Sequence, residues 1–109
     1  MTDKIVIFSS CPSAEEAEKV ARRLVELRLA ACVTLIPGAR SIYRWQDAIE
    51  ETDEHVLLIK SRRDLFDRLK EELGSIHSYE VPEILGLPVV EGSPAYIDWI
   101  DKELKDTKE

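Results

Sequence analysis

Apolar positions along this chain recur at two different periods, and the switches between them mark its elements. Lys4 to Ser9 carries Ile5-Val6-Ile7-Phe8 between polar ends, which predicts a short buried strand. After Cys11-Pro12-Ser13 the spacing turns helical, with Ala14, Ala17, Val20, Ala21, Leu24 and Leu27 along one face. Ser13 followed by Glu16 reads as a capping box, and the Glu15–Lys19 and Glu18–Arg22 spacings put opposite charges on the solvated face.

Cys32 to Ile36 is a second apolar strand. Pro37-Gly38 interrupts it, and Arg40 to Trp45 returns to extended character, so the pair predicts a bend or bulge inside one long strand. Gln46 to Asp53 is polar and acidic, and His55 to Lys60 is again apolar and β-branched, which together read as a long hairpin. Asp64 is placed to cap a second helix whose inner face is Leu65, Leu69, Leu73 and Ile76, with Phe66 alongside and Gly74 near its end. The loop from His77 to Pro82 leads to a fourth strand at Ile84 to Val90, where Pro88 demands an edge or irregular position. Ser93-Pro94 opens a third helix with Ile97, Ile100 and Leu104 inward, and Lys105 to Glu109 reads as a frayed tail.

The order βαββαβ plus a helix predicts an α+β sandwich in one domain, residues 1–109. Short, right-handed connections fold it into a four-stranded antiparallel sheet with two helices on one face, the ferredoxin-like arrangement. That layout leaves the other face and an overlong hairpin without cover. Uncovered apolar sheet and free edges predict a homo-oligomer, with no preference in the pattern itself for two subunits or three.

Charge then narrows the partners. The formal net charge of −7 repels phosphate backbones and anionic lipid, which argues against nucleic-acid or membrane-surface binding. The opening MTDKIVIF is too short an apolar run for a signal peptide, and no stretch approaches a spanning helix, so the expected location is the cytoplasm. Cys11 and Cys32 are accordingly expected as free thiols.

Three segments point further: Leu29 to Trp45 (LAACVTLIPGARSIYRW), Leu57 to Leu69 (LLIKSRRDLFDRL) and His77 to Ile100 (HSYEVPEILGLPVVEGSPAYIDWI). In this order they resemble the CutA divalent-cation tolerance family, and the resemblance spans roughly residues 4 to 104. It implies a homotrimer of ferredoxin-like subunits with long hairpins packed around the threefold axis. It also implies a link to tolerance of divalent cations, Cu²⁺ above all, and no enzymatic activity.

Family positions for a metal or ligand pocket fall on His77 and Glu83, and imidazole with carboxylate suits copper or zinc. A histidine at a helix end can equally bond terminal carbonyls, and a glutamate beside a strand can simply be solvated. The family's first-strand cysteine corresponds here to Ser9, while Cys11 stands two residues later. A thiol just before a helix N-terminus is favoured as thiolate by the helix dipole, which makes Cys11 a soft ligand or reactive group, whereas Cys32 reads as a small buried hydrophobe.

Lys60, Tyr79 and Glu83 match the rest of the family pocket, expected between subunits and suited to a small polar anion. Tyr43 and Trp45 are expected as trimer-interface anchors. A signalling or scaffold trimer of the PII type, binding a small anion, is the alternative reading. Acylphosphatase chemistry needs an asparagine, which the chain lacks throughout, and GxxxxGK[ST], GxSxG and HExxH are also missing.

Overall fold

The computed structural model describes residues 2–106. Its elements run β1 (Lys4–Cys11), α1 (Ala14–Glu26), β2 (Cys32–Trp45), β3 (Ala48–Arg62), α2 (Phe66–Ile76), β4 (Leu85–Pro88) and α3 (Pro94–Glu103). The sheet is antiparallel in the order β2-β3-β1-β4, so Pro88 sits on an edge strand as its missing N–H requires.

Alternation along the two central strands divides the sheet into a closed and an open face. Ile5, Ile7, Leu57 and Ile59 point to the closed face, where Val20 and Leu24 of α1 and Leu69 and Leu73 of α2 complete the core. The open face carries Val6 and Phe8 of β1, Val56 and Leu58 of β3, Ile36 of β2, and Leu85 and Leu87 of β4. Phe8, Ile36, Leu85 and Leu87 stay exposed. Helix α3 crosses one end of this face, where Asp101 bonds Lys4 at 3.0 Å and Arg62 at 3.2 Å. Burial opposes the charge on Lys4, yet its hydrogen bonds to Asp3 and Asp101 outweigh it and raise its pKa; the same bond from Lys4 holds Asp101 below its ordinary value.

Local signals explain the helix boundaries. Ser13 accepts the Glu16 N–H at 3.1 Å and Ser93 accepts the Tyr96 N–H at 3.4 Å, as N-caps. Helix α1 ends in a left-handed residue, Arg28 (φ 60°), with the Leu29 N–H on the Leu24 carbonyl and the Arg28 N–H on the Val25 carbonyl. A non-glycine there is strained, and the Arg28 guanidinium is held in compensation by the Lys102 and Glu103 carbonyls.

Four expectations need correction. Asp64 makes no cap: a 3-10 turn at Arg63–Leu65 precedes α2, and the carboxylate accepts from Arg62 Nε at 2.7 Å. Strand β3 begins at Ala48, so the acidic run from Gln46 to Asp53 is mostly strand; the connection is only Gln46-Asp47, both at positive φ as a two-residue hairpin turn demands. Strand β4 is shorter than Ile84 to Val90. In the expected frayed tail, Lys105 is tied by its N–H to Arg28 and by its carbonyl to Arg62, and Thr107 to Glu109 lie outside the described residues.

The bulge at Pro37-Gly38 has the largest structural consequence. Register shifts by one residue between Ile36–Val56 and Ala39–Glu54, with Gly38 at φ 80°. Even-numbered residues of β2 share the open face before the bulge; Ser41, Tyr43 and Trp45 share it afterwards. The hairpin runs on past the helices as an arm and gives the chain extents of 44 × 26 × 22 Å, with Ile42 64% and Ile49 63% exposed.

Because Leu24 is fully buried against the central strands, Leu24→Ala is expected to lower the unfolding free energy by about 3 kcal/mol in urea titrations. A loss below about 1 kcal/mol would contradict this view of the core.

Candidate metal and ligand site

The end of β1 places neighbouring residues on opposite sides of the sheet. Cys11 belongs to the closed face and is 0% exposed; Ser10 belongs to the open face. On the closed side, Cys11, Glu16 of the first turn of α1 and His77 at the end of α2 bring one ligating atom each within 4.8 Å of one another. The Ser78 N–H donates to Glu16 Oε2 at 3.2 Å, and His77 Nδ1 lies 3.5 Å from that oxygen.

Hydrogen bonding determines the His77 tautomer. Its fully buried ring accepts the Tyr79 N–H at Nδ1 (3.0 Å), so the proton sits on Nε2 and is donated to the Ser10 carbonyl at 2.6 Å. A four-coordinate metal bound by nitrogen, sulfur and oxygen separates its ligands by about 3.5 Å. The Glu16–His77 pair already has that spacing, and the set as a whole needs only a small contraction. Soft thiolate with imidazole and carboxylate is a donor set for copper or zinc.

The expected dipole-activated thiolate is not found. Burial pushes the Cys11 thiol up to about 12, and the charges of Glu16 and Glu54 add to it. Cys11 is therefore a protonated donor until a cation displaces its proton.

On the open side, the loop after α2 and the hairpin arm enclose a cleft of about 510 Å³. Ser10, Ser41, Tyr43, Trp45 and Glu54 form one wall, with Ser78, Tyr79, Glu80, Val81 and Glu83 opposite. Glu54 is 6% exposed and accepts the Tyr79 hydroxyl at 3.1 Å, while Tyr43 shares a 2.8 Å hydrogen bond with Thr52. Burial and the Glu54 charge hold the Tyr79 phenol up to about 12.

The sequence-derived residues thus divide. Cys11 and His77 meet; Glu83 does not join them and lines the cleft with Tyr79, Tyr43 and Trp45. Lys60 is remote from that cleft: its ammonium bonds Thr34 Oγ1 and lies 3.9 Å from the Cys32 thiol, near the α3 end of the sheet. Glu16 and Glu54 were missed. Along the chain Glu16 reads only as half of a capping box, although its place one turn into the helix after Cys11 aims it back at the strand end. Glu54 carries no local signal, because it is one carboxylate in an acidic run.

The hydroxyl of Ser9, the position that the resemblance pairs with a family cysteine, is buried without a hydrogen-bond partner among the described residues. An orphaned hydroxyl suits this site less well than a thiol.

The chain matches the profile of the family described as CutA1 divalent ion tolerance protein over residues 5–103. It is 47% identical to the divalent-cation tolerance protein CutA of Thermus thermophilus over 95 residues, covering 87% of this chain and 92% of that one. A solved structure of the Thermus protein superimposes with a TM-score of 0.92 over 94% of this chain and 99% of that chain. The mouse protein CutA is 46% identical over 93 residues, 85% of this chain but only 52% of the longer mouse protein. A structure from Archaeoglobus fulgidus, described as a periplasmic divalent cation tolerance protein, matches at TM-score 0.91 and 36% identity over 94% of this chain and 99% of that one. No helix among the described residues is long and apolar enough to cross a membrane.

Two measurements check this geometry. Ser9→Cys is expected to raise stability by about 1 kcal/mol by removing the orphan hydroxyl, and a loss in urea unfolding would contradict that account. The raised Cys11 and Tyr79 values make the folded protein hold protons that the unfolded chain releases. Their contribution is whole below the ordinary values of 9.0 and 10.0 and is lost as pH climbs toward about 12. Unfolding midpoints should fall across that window, less steeply in Cys11→Ala and Tyr79→Phe; an unchanged slope in both variants would refute it.

Proposed function

The chain belongs to the CutA1 divalent ion tolerance family, and from that premise we propose that it is a non-catalytic protein that binds divalent copper in the cytoplasm as a homotrimer. The observation that carries this reading is the convergence of Cys11, Glu16 and His77 around one buried point. A thiol, a carboxylate and an imidazole in that position bind a thiophilic divalent ion better than magnesium or calcium, which prefer all-oxygen shells. Glu83 lies across the sheet plane in the neighbouring cleft and is not a member of this donor set.

Binding has to be coupled to protons and to the loop. Cys11 must release its proton, and a metal at His77 Nδ1 displaces the Tyr79 N–H bonded there. The acceptor Glu16 would likewise loosen from Ser78. Ion binding is therefore read out in the loop that forms one wall of the open-face cleft.

The trimer reading is supported by what the protomer leaves uncovered. Phe8, Ile36, Leu85 and Leu87 with Tyr43 and Trp45 leave exposed apolar side chains on the open face, and Ile42 and Ile49 leave more on the other side of the arm, surface that association would bury. Tyr43 and Trp45 are the arm's aromatic anchors in this reading. An anion-binding signalling trimer has less support: Lys60 is spent on Thr34 far from Tyr79, and the cleft is lined by glutamates without a lysine or arginine.

Titration calorimetry with Cu²⁺ on the reduced protein should give stoichiometric binding, weakened at least tenfold by Cys11→Ser, by Glu16→Gln and by His77→Ala. Sedimentation should return three chains per particle. Weak binding indifferent to all three substitutions would remove the metal site, and a monomer in solution would remove the trimer.

A further inference from the structure

The second cysteine has surroundings unlike those of the first. Cys11 is sealed on the closed face beside Glu16, whereas Cys32 is half-buried on the open face at the start of β2. Strand pairing sets Cys32 directly opposite Lys60 of β3, and directly opposed residues bring their Cβ atoms to about 5 Å of each other. The Lys60 ammonium lies 3.9 Å from the Cys32 sulfur and donates to Thr34 Oγ1, itself 4.0 Å from that sulfur. Tyr96 of α3 faces the same group: burial, and then the Cys32 charge, raise its phenol above the ordinary value. Cys32 is therefore not the buried apolar residue its strand suggested; an amine and two hydroxyls surround it.

The backbone fixes this juxtaposition. Next to the pair, Val33 and Ile59 are matched across the strands and packed on the core, and the Ala31 N–H donates to the Lys60 carbonyl at 2.9 Å. A register slip that parted Cys32 from Lys60 would pull Ile59 out of the core. The pair stands at the end of β2 away from Tyr43 and Trp45, and belongs neither to the cleft they line nor to the Cys11 group.

We propose that Cys32 and Lys60 form a redox modification site, in which hydrogen peroxide oxidises the thiol and the lysine amine then closes a sulfur–nitrogen cross-link between β2 and β3. Cysteines that peroxide oxidises are partly exposed and stand near a cation. Cys32 meets both conditions; Cys11, 0% exposed beside a carboxylate, meets neither. In the first step the Cys32 thiolate attacks one peroxide oxygen: the S–O bond forms, the O–O bond breaks, and the departing hydroxide takes up the thiol's proton as water. Sulfur loses two electrons and peroxide gains them. In the second step the Lys60 amine, its extra proton given to solvent, attacks that sulfur. The S–N bond forms, the S–O bond breaks, and the hydroxyl leaves as water with a proton from nitrogen. The product is a sulfenamide, two hydrogens lighter than the reduced pair. It removes the Lys60 charge, shields the sulfur from further oxidation, and is reopened by a thiol, which draws the sulfur into a mixed disulfide and frees the amine.

The full chain as it assembles in solution, reduced and held in a chelator, is treated with hydrogen peroxide and mapped by peptide mass spectrometry. The expected product is a peptide pair joined between Cys32 and Lys60, two hydrogens lighter than its reduced parts and restored by dithiothreitol. Cys11→Ser should keep this link, which separates it from a disulfide between the two cysteines with the same mass change. Lys60→Arg, which retains the cation without a primary amine, should lose the link and leave Cys32 as a sulfenic acid that dimedone traps. The wild-type and Cys11→Ser maps decide the matter even if Lys60→Arg fails to fold. An unmodified Cys32, oxidation that ends with oxygen on Cys32, a link from Cys32 to any residue but Lys60, or a two-hydrogen loss that vanishes in Cys11→Ser overturns the proposal.

Discussion

Strand β1 runs through the middle of the sheet with β3 on one side and β4 on the other, so the parity of each of its residues decides what that residue can do. Ile5, Ile7, Ser9 and Cys11 meet the helices; Val6, Phe8 and Ser10 meet the open side. Sliding β1 by one residue against β3 would exchange the two sets and expose the core, and the burial of Ile7, Leu57 and Ile59 prevents it. This register also creates the paired sites. Cys11 and Ser10 are adjacent in the chain yet serve opposite faces, and His77 joins them by approaching Cys11 while donating to the Ser10 carbonyl.

Both sites are governed by two glutamates. Glu16 and Glu54 reinforce burial in keeping Cys11 protonated, and Glu54 does the same for Tyr79. A negative field that holds acidic protons in place is also one that favours cations over anions. The loop from His77 to Glu83 lies between the two sites. Its Ser78 and Tyr79 amides are bonded to Glu16 and His77, while its side chains form the cleft wall, so the same loop touches both groups of residues.

Much of the architecture was legible along the chain because it follows from periodicity. The two-residue alternation, the helical spacing from Ala14 to Leu27, the cap at Ser13, the Ser93-Pro94 start and the Pro37-Gly38 bulge are local signals whose physics does not depend on distant residues. The errors arose where tertiary context overrides composition. The acidic stretch before His55 looked like a turn, but strand pairing with β2 carries it as strand, since its side chains need no burial on an arm that projects beyond the helices. Asp64 looked like a cap, but Arg62 beside it offered a stronger, charged partner.

For the site, the sequence by itself determined which chemistry is available: His77 and Cys11 as nitrogen and sulfur donors, an excess of carboxylates, and aromatic residues on the long hairpin. Residue type is a local property and is read directly. Which of these groups meet was decided only by the tertiary structure, because the partners come from separate elements: Cys11 from β1, Glu16 from α1 and His77 from the end of α2. Folding also separated Lys60 from Tyr79 and reversed the expected ionisation of Cys11. A helix dipole favours a thiolate only weakly, whereas complete burial beside two carboxylates opposes it far more strongly.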